Sequence, residues 1–488
     1  MGLGNFNIEE LKKNNQSGDS FKHTTGNKVK VLPFVTNNKN LNLSDISDFH
    51  GFIGDCIRKS NNLDLPTEYK KAEDYKVKIK DDFVTEACKK TSVENGQNDF
   101  EKIINEIFID DEGRIVKFNL RSLLYANFST NKPSTLLSIS TFIYELFYNH
   151  NSIKELLQVS DIGNSNPLFD LAIDSLPKLE QADENSKLEY SIVKPEIIKL
   201  FKKDIEFLAT DKTLLLNSIE EITKYYYFFY ISQLALEFDR HFNDSDSITP
   251  LFYSLEWESI SKSRKTNYQG WDFLSKKLDN LFSHACFFEF VNYIDFGDGK
   301  NISSYKELSK AINDIEQKDN SLLSAISELK DYYKNIVTQI SDGSWEKCLD
   351  ELSLNTEFNS IESEIVKEFY SFFYMINYQF NHDRGSRRSA FIKYSNWAKS
   401  FCTHSYIKNR GRLGGILTIN QETLLLITRL CIGNNDKIRL KDYWLELEKR
   451  GICFDQTSKG IIIQLFEKIN LIEKKSDSGD AQYVKSTI

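Results

Sequence analysis

Between residues 382 and 412 the chain carries Arg384, Arg387, Arg388, Lys393, Lys399, Lys408, Arg410 and Arg412 against Asp383 alone. A balance of +7 for this stretch and −16 for the rest make up the formal charge of −9. Planar guanidinium groups offer paired donors to phosphate oxygens, and clustered cations gain affinity for a polyanion by displacing its counterions. Arg387-Arg388 and Arg410-Gly411-Arg412 flank a predicted helix bearing Phe391, Tyr394, Trp397 and Phe401, and Gly414-Gly415 follows. Glycines at that point let a backbone approach a ligand closely. Phosphate contact is one reading of the pattern. In the other, the rings are core and the cations meet an acidic partner or the chain's own acidic surface.

Two further clusters mix acids with bases. Asp110, Asp111 and Glu112 precede Ile115-Val116 and Lys117, the closest linear approach to the carboxylates and Lys that a metal-dependent nuclease converges on a phosphate. A solvated acidic hairpin tip has the same composition. Glu256-Trp257-Glu258 precedes Lys262, Arg264 and Lys265, and pairing of these carboxylates and cations at a helix end is the simpler account. Phosphate contact through Arg264 and Lys265 is the alternative.

No catalytic residue, cofactor or metal is assigned. A Walker A loop needs Gly-x-x-x-x-Gly-Lys-Ser/Thr, and the nearest stretch, residues 18–28, has the wrong spacing. His23, His50, His150, His241, His284, His382 and His404 are scattered, and no Gly-x-Ser-x-Gly elbow occurs. The seven cysteines are odd in number and form no Cys-x-x-Cys pair, which fits neither a zinc ribbon nor a disulfide scaffold and points to the reducing cytoplasm. The N-terminus lacks the basic and apolar regions of a secretion signal. The most apolar run, residues 225–238, falls short of the ~20 residues that cross a bilayer, so no membrane is expected.

These residues need elements to position them. A chain of 488 residues exceeds one ordinary core, which predicts several domains, and all seven prolines lie between Pro33 and Pro250, so the second half can run long helices. The reading is a mainly α, multi-domain protein with a small irregular, β-containing N-terminal part over residues 1–99, where 29–34 alternates like a strand. Residues 100–190 form a helical segment with a hairpin at 110–113 and an exposed boundary from 160 to 191. Residues 191–381 form an aromatic-rich helical domain, with a solvated hairpin or partner-binding arm at 304–340. A basic helix and linker occupy 382–415, and a winged-helix domain occupies 416–488.

In that last part Asn420 and Asp455 read as helix N-caps, and Gly433 and Gly451 as stops. Leu471-Ile472 and Tyr483-Val484 around Gly479 make a hairpin. Three helices and a hairpin are the order of a winged helix-turn-helix, with Lys474 and Lys475 at the base of the wing as further phosphate contacts. The third helix is electrically neutral, Lys459 and Lys468 against Asp455 and Glu467, which favours protein contact there and places the DNA-facing element upstream.

Several stretches occur in a telling order. They are Tyr230-Ile231-Ser232-Gln233-Leu234, then Leu255-Glu256-Trp257-Glu258 with Ser261-Lys262-Ser263-Arg264-Lys265 and Gly270-Trp271. Ile438-Arg439-Leu440-Lys441-Asp442, Glu448-Lys449-Arg450-Gly451-Ile452 and residues 466–484 follow. In these the chain resembles the DptG family, a component of the bacterial restriction system that depends on DNA phosphorothioation. The likeness covers the second half, and the first half agrees only in length and general pattern. It implies a cytosolic defence protein working with DptF and DptH, partners of ATPase-like character, to restrict double-stranded DNA lacking phosphorothioate. It carries over no catalytic residue. Charge and fold add the expectation of a non-catalytic scaffold and DNA-contacting adaptor. A nuclease subunit with an unrecognised metal-dependent carboxylate site and a pure protein-interaction protein are the competing expectations.

Overall fold

The central helix Lys212–Asp239 sets the architecture. Asp211 caps it, its carboxylate accepting from the N–H groups of Thr213 and Leu214. Apolar and aromatic residues then cover every side from Leu215 to Phe238, and a helix of that kind is stable only when surrounded. Phe49–Ser60, Pro195–Leu208, Trp271–Asp279 and Leu281–Val291 pack against it. This computed structural model describes residues 4–18, 20–36, 46, 49–91, 96–128, 136–159, 166–182, 188–243, 247–297, 299–316, 321–474 and 482–486. About 62% of the chain is helical and the sheets hold only two or three strands each, so the protein is mainly α.

One apolar core reaches every part of the sequence. Leu11, Leu123, Ile197, Phe391 and Leu417 belong to a single cluster, although the divisions at 99, 190, 381 and 415 set them in five segments. Rings on the central helix make the connection. Tyr227 packs against Phe49 at 5.7 Å and Phe401 at 5.0 Å between ring centres, and Phe228 meets Tyr406 at 4.6 Å. A smaller cluster, which includes Phe83, Ile104, Phe108 and Ala172, joins the helices Tyr75–Lys90, Gln97–Phe108 and Pro167–Ser175.

Three local expectations need correction. Residues 29–34 form no strand: Val31, Leu32 and Phe34 are buried together, so the stretch is an extended segment laid across the core, held in part by the Ser191 N–H donating to the Lys30 carbonyl. The expected exposed boundary at 160–191 contains the helix Pro167–Ser175, with Asn166 as its cap and proline in its first turn, and a short strand Glu180–Gln181 paired with Leu63–Asp64. The expected arm at 304–340 is two helices, Tyr305–Glu316 and Ser321–Ile336, whose Leu308, Ile312, Ile326 and Leu329 are buried, the second against Glu364–His382. Its charges are the outer face of packed helices. Residues 37–40, Asp183-Glu184, Lys475 and the expected hairpin tip at 476–480 lie outside the described residues.

The C-terminal unit has helices Gln421–Ile432, Leu440–Lys449 and Gln456–Lys468. Asn420 and Asp455 cap the first and third through the N–H groups of Thr423 and Ser458. Strand Gln482–Lys485 runs antiparallel between Ile472–Lys474 and a third strand, Lys437–Arg439, which precedes the second helix. One segment makes two strand pairings between this unit and the body. Leu251–Phe252 pairs in parallel with Ile452–Cys453, and Ser254–Leu255 pairs in parallel with Thr418 and Ile419. Beneath it Arg450, fully buried, donates to Asp204 at 2.6 and 3.0 Å, and the Thr423 hydroxyl donates to Glu221 of the central helix at 2.7 Å.

Candidate nucleic-acid interface

The basic stretch forms a corner followed by a hairpin. Helix Glu364–His382 ends at Asp383, helix Ser386–Ser405 begins, and Ile407–Asn409 then pairs antiparallel with Gly415–Ile419. Phe391, Tyr394, Trp397 and Phe401 are all buried, so the rings of the basic helix are core. Their cations are consequently confined to its outer side.

Most of those cations meet partners within the chain. Arg384 pairs with Asp342, and Arg387 donates to the Gln339 carbonyl at 3.0 Å with Asp383 3.8 Å away. Arg388 donates to Asn381 Oδ1 at 2.8 Å and lies 5.2 Å over the Phe391 ring. Lys399 pairs with Asp279, Lys408 with Glu256 at 3.2 Å, and Lys474 with Glu467 at 2.7 Å. Arg410 Nη2 donates to the carbonyls of Glu256 at 2.7 Å and Leu255 at 3.3 Å. Lys393 and Arg412 are exposed and meet no ion-pair or hydrogen-bond partner among the described residues. Four of the eight cations thus face the chain's own acids, and Arg388 and Arg410 are taken up by carbonyl and amide oxygens. Asp342, Asp279 and Glu256 lie far off in sequence, which is why they are invisible in a local charge count.

The Glu256–Lys265 cluster divides in two. Glu258 is buried, accepting from the Leu255 N–H and the Ser458 hydroxyl, each at 2.8 Å. Arg264 reaches Glu258 at 3.2 Å, Ser458 Oγ at 2.8 Å and both carboxylate oxygens of Asp455. Burial resists ionisation of Asp455, and the Arg264 guanidinium with the Ser458 N–H outweighs it, holding the carboxyl below its ordinary value. Arg264 thus closes the N-terminus of the third C-terminal helix and is not available to phosphate. Lys262 and Lys265 remain exposed, Lys265 with its ammonium 5.1 Å from the Phe252 ring centre.

Because Lys408 and Arg410 both grip Glu256, the hairpin and this loop share one surface. Lys262, Lys265 and the rings of Trp257 and Tyr268 are exposed along this stretch, and Arg412 is exposed two residues beyond Arg410. Sequence reasoning treated Trp257 as part of a charge cluster and missed Tyr268. The available signal was a Trp set between two carboxylates, a place where an aromatic ring is rarely core.

The carboxylates at 110–112 do not converge. Asp110 accepts from the N–H groups of Glu112 and Arg114 and from Arg114 Nε, all at 2.9 Å, while Lys117 turns away to pair with Glu220. Burial raises the Asp110 pKa less than these Arg114 contacts lower it. Among the described residues no group of three His, Cys, Asp or Glu side chains is arranged to hold a metal ion. No helix among them is long and apolar enough to cross a membrane. No protein-family model matches the chain, and no curated protein does.

Proposed function

We propose that this chain is a non-catalytic subunit of a bacterial restriction system that depends on DNA phosphorothioation, a cytoplasmic scaffold that contacts double-stranded DNA for the partners DptF and DptH. The observation that carries the DNA contact is the surface at Lys262, Lys265 and Arg412, where cations without a carboxylate partner face solvent in a chain of charge −9. In the C-terminal unit a helix, a strand, a helix, the short strand Ile452–Cys453, a helix and two strands follow one another, and the resemblance of this order to a winged helix supports the same reading. The site differs from the one expected from charge alone, because most of the basic stretch is committed internally. Within this reading the winged helix serves protein contact. Arg264 already occupies the start of its third helix, the end that ordinarily meets base edges.

Co-expression tests the assignment. The tagged chain should co-purify with DptF and DptH, and the assembly should retain an unmodified duplex better than the two partners do without it. Failure to recover either partner, with duplex retention unaffected by this chain, overturns the proposal.

A further inference from the structure

Among the described residues, Trp257 and Tyr268 are the only aromatic side chains among the exposed large hydrophobic residues, at 44% and 50% exposure. The chain has 35 Phe, 23 Tyr and 5 Trp, and the two exposed rings fall within residues 256–268, Trp257 in a turn and Tyr268 at the end of the short helix Lys265–Tyr268. Polar bonds, part-buried or exposed, hold this stretch against its neighbours. Arg264 and Glu258 fasten the loop to the third C-terminal helix, Asn267 donates to the Ser261 carbonyl within it, and Arg410 secures its first turn. Over residues 256–268 and 408–412 there are six cations and two carboxylates. Both carboxylates are already neutralised, Glu258 by Arg264 and Glu256 by Lys408.

We infer that this surface binds single-stranded DNA, with Trp257 and Tyr268 as stacking platforms and Lys262, Lys265 and Arg412 as phosphate contacts. The inference rests on the proposed duplex contact and adds single-stranded DNA to what the same cations hold. Duplex bases are stacked on one another and offer no free face to a ring, whereas an unpaired base can lie on Trp or Tyr whatever its identity. A rigid loop with two solvent-facing rings and a cationic border fits that requirement. A surface for duplex phosphates alone has no use for the rings.

Fluorescence anisotropy with the full chain tests it, using an oligo-dT of about 20 nucleotides and a duplex of equal length. Trp257→Ala with Tyr268→Ala should weaken oligo-dT binding about ten-fold or more, while Trp257→Phe with Tyr268→Phe stays within about two-fold and the duplex affinity of both is unchanged. Wild-type oligo-dT affinity in the Ala variant, with duplex binding intact, overturns the stacking assignment and leaves the DNA contact standing. Binding of neither DNA by the wild-type chain overturns both.

Discussion

At the scale of single residues, buried charge determines how the C-terminal unit is held. Arg450 is fully enclosed, and besides its two bonds to Asp204 it donates from Nη1 to Glu446 at 3.1 Å, while Tyr226 donates to the same Asp204 at 2.6 Å. Removing the cation strands a carboxylate among rings. Arg450→Met should therefore cost about 3–5 kcal/mol, read as a lower urea midpoint, and a loss below ~1 kcal/mol would mean that Asp204 finds water or another donor. His284, in helix Leu281–Val291 of the body, is a buried titratable group of another kind. It stacks on Phe373 at 4.4 Å and shares a hydrogen bond between Nδ1 and the Tyr305 hydroxyl at 2.9 Å, while Nε2 meets no partner among the described residues. Burial, and then the neighbouring His241, hold its pKa well below 6.5. The unfolded chain thus takes up a proton that the folded chain refuses, so stability is lost as pH falls below 6.5. His284→Phe should reduce that loss between pH 7 and 5 in urea melts, and an unchanged acid slope would contradict the account. Neither role was legible in the sequence. Arg450 reads there as the residue before a terminating glycine, and His284 as one of seven scattered histidines, because their partners come from helices more than a hundred residues away or from other turns of the core.

At the scale of elements, what is encoded locally was legible. Asp211, Asn420 and Asp455 cap the helices they precede, and Gly433 and Gly451 follow the first and second C-terminal helices with φ of 58° and 78°. The two glycines differ in their surroundings. A Cβ on Gly451 would lie 2.5 Å from the Phe229 ring, whereas one on Gly433 would meet only the Leu430 carbonyl at 3.9 Å. Both alanine variants bear the left-handed strain of about 1–2 kcal/mol, and Gly451→Ala adds an overpacking cost of about 1–3 kcal/mol. Gly451→Ala should consequently melt several degrees lower than Gly433→Ala, and equal melting temperatures would show that Phe229 yields freely. Pairings that join distant segments were not legible. The strand Lys437–Arg439 has no alternation long enough to announce itself, and the parallel pairing of Leu251–Leu255 with two C-terminal strands depends on chain topology. The stretch 29–34 misleads for a related reason, since burial on both sides is shared by central strands and by extended segments crossing a core.

At the scale of the whole molecule, the acidic majority and the basic stretch largely serve one another. Asp279, Asp342 and Glu256 each take up a cation from residues 384–408, which ties the basic helix and its hairpin to the body. The sequence located the basic stretch and the C-terminal unit, yet the exposed surface lies at the seam between them and a loop that precedes both by more than a hundred residues. Its cations are Lys262, Lys265 and Arg412. The most direct test is a duplex-binding titration across salt with Lys262→Ala, Lys265→Ala and Arg412→Ala combined. If this surface is the DNA contact, affinity at low salt falls and the slope of log K against log salt becomes shallower by roughly 3, about one unit for each lost phosphate contact. An affinity and a slope equal to those of the wild-type chain would contradict it.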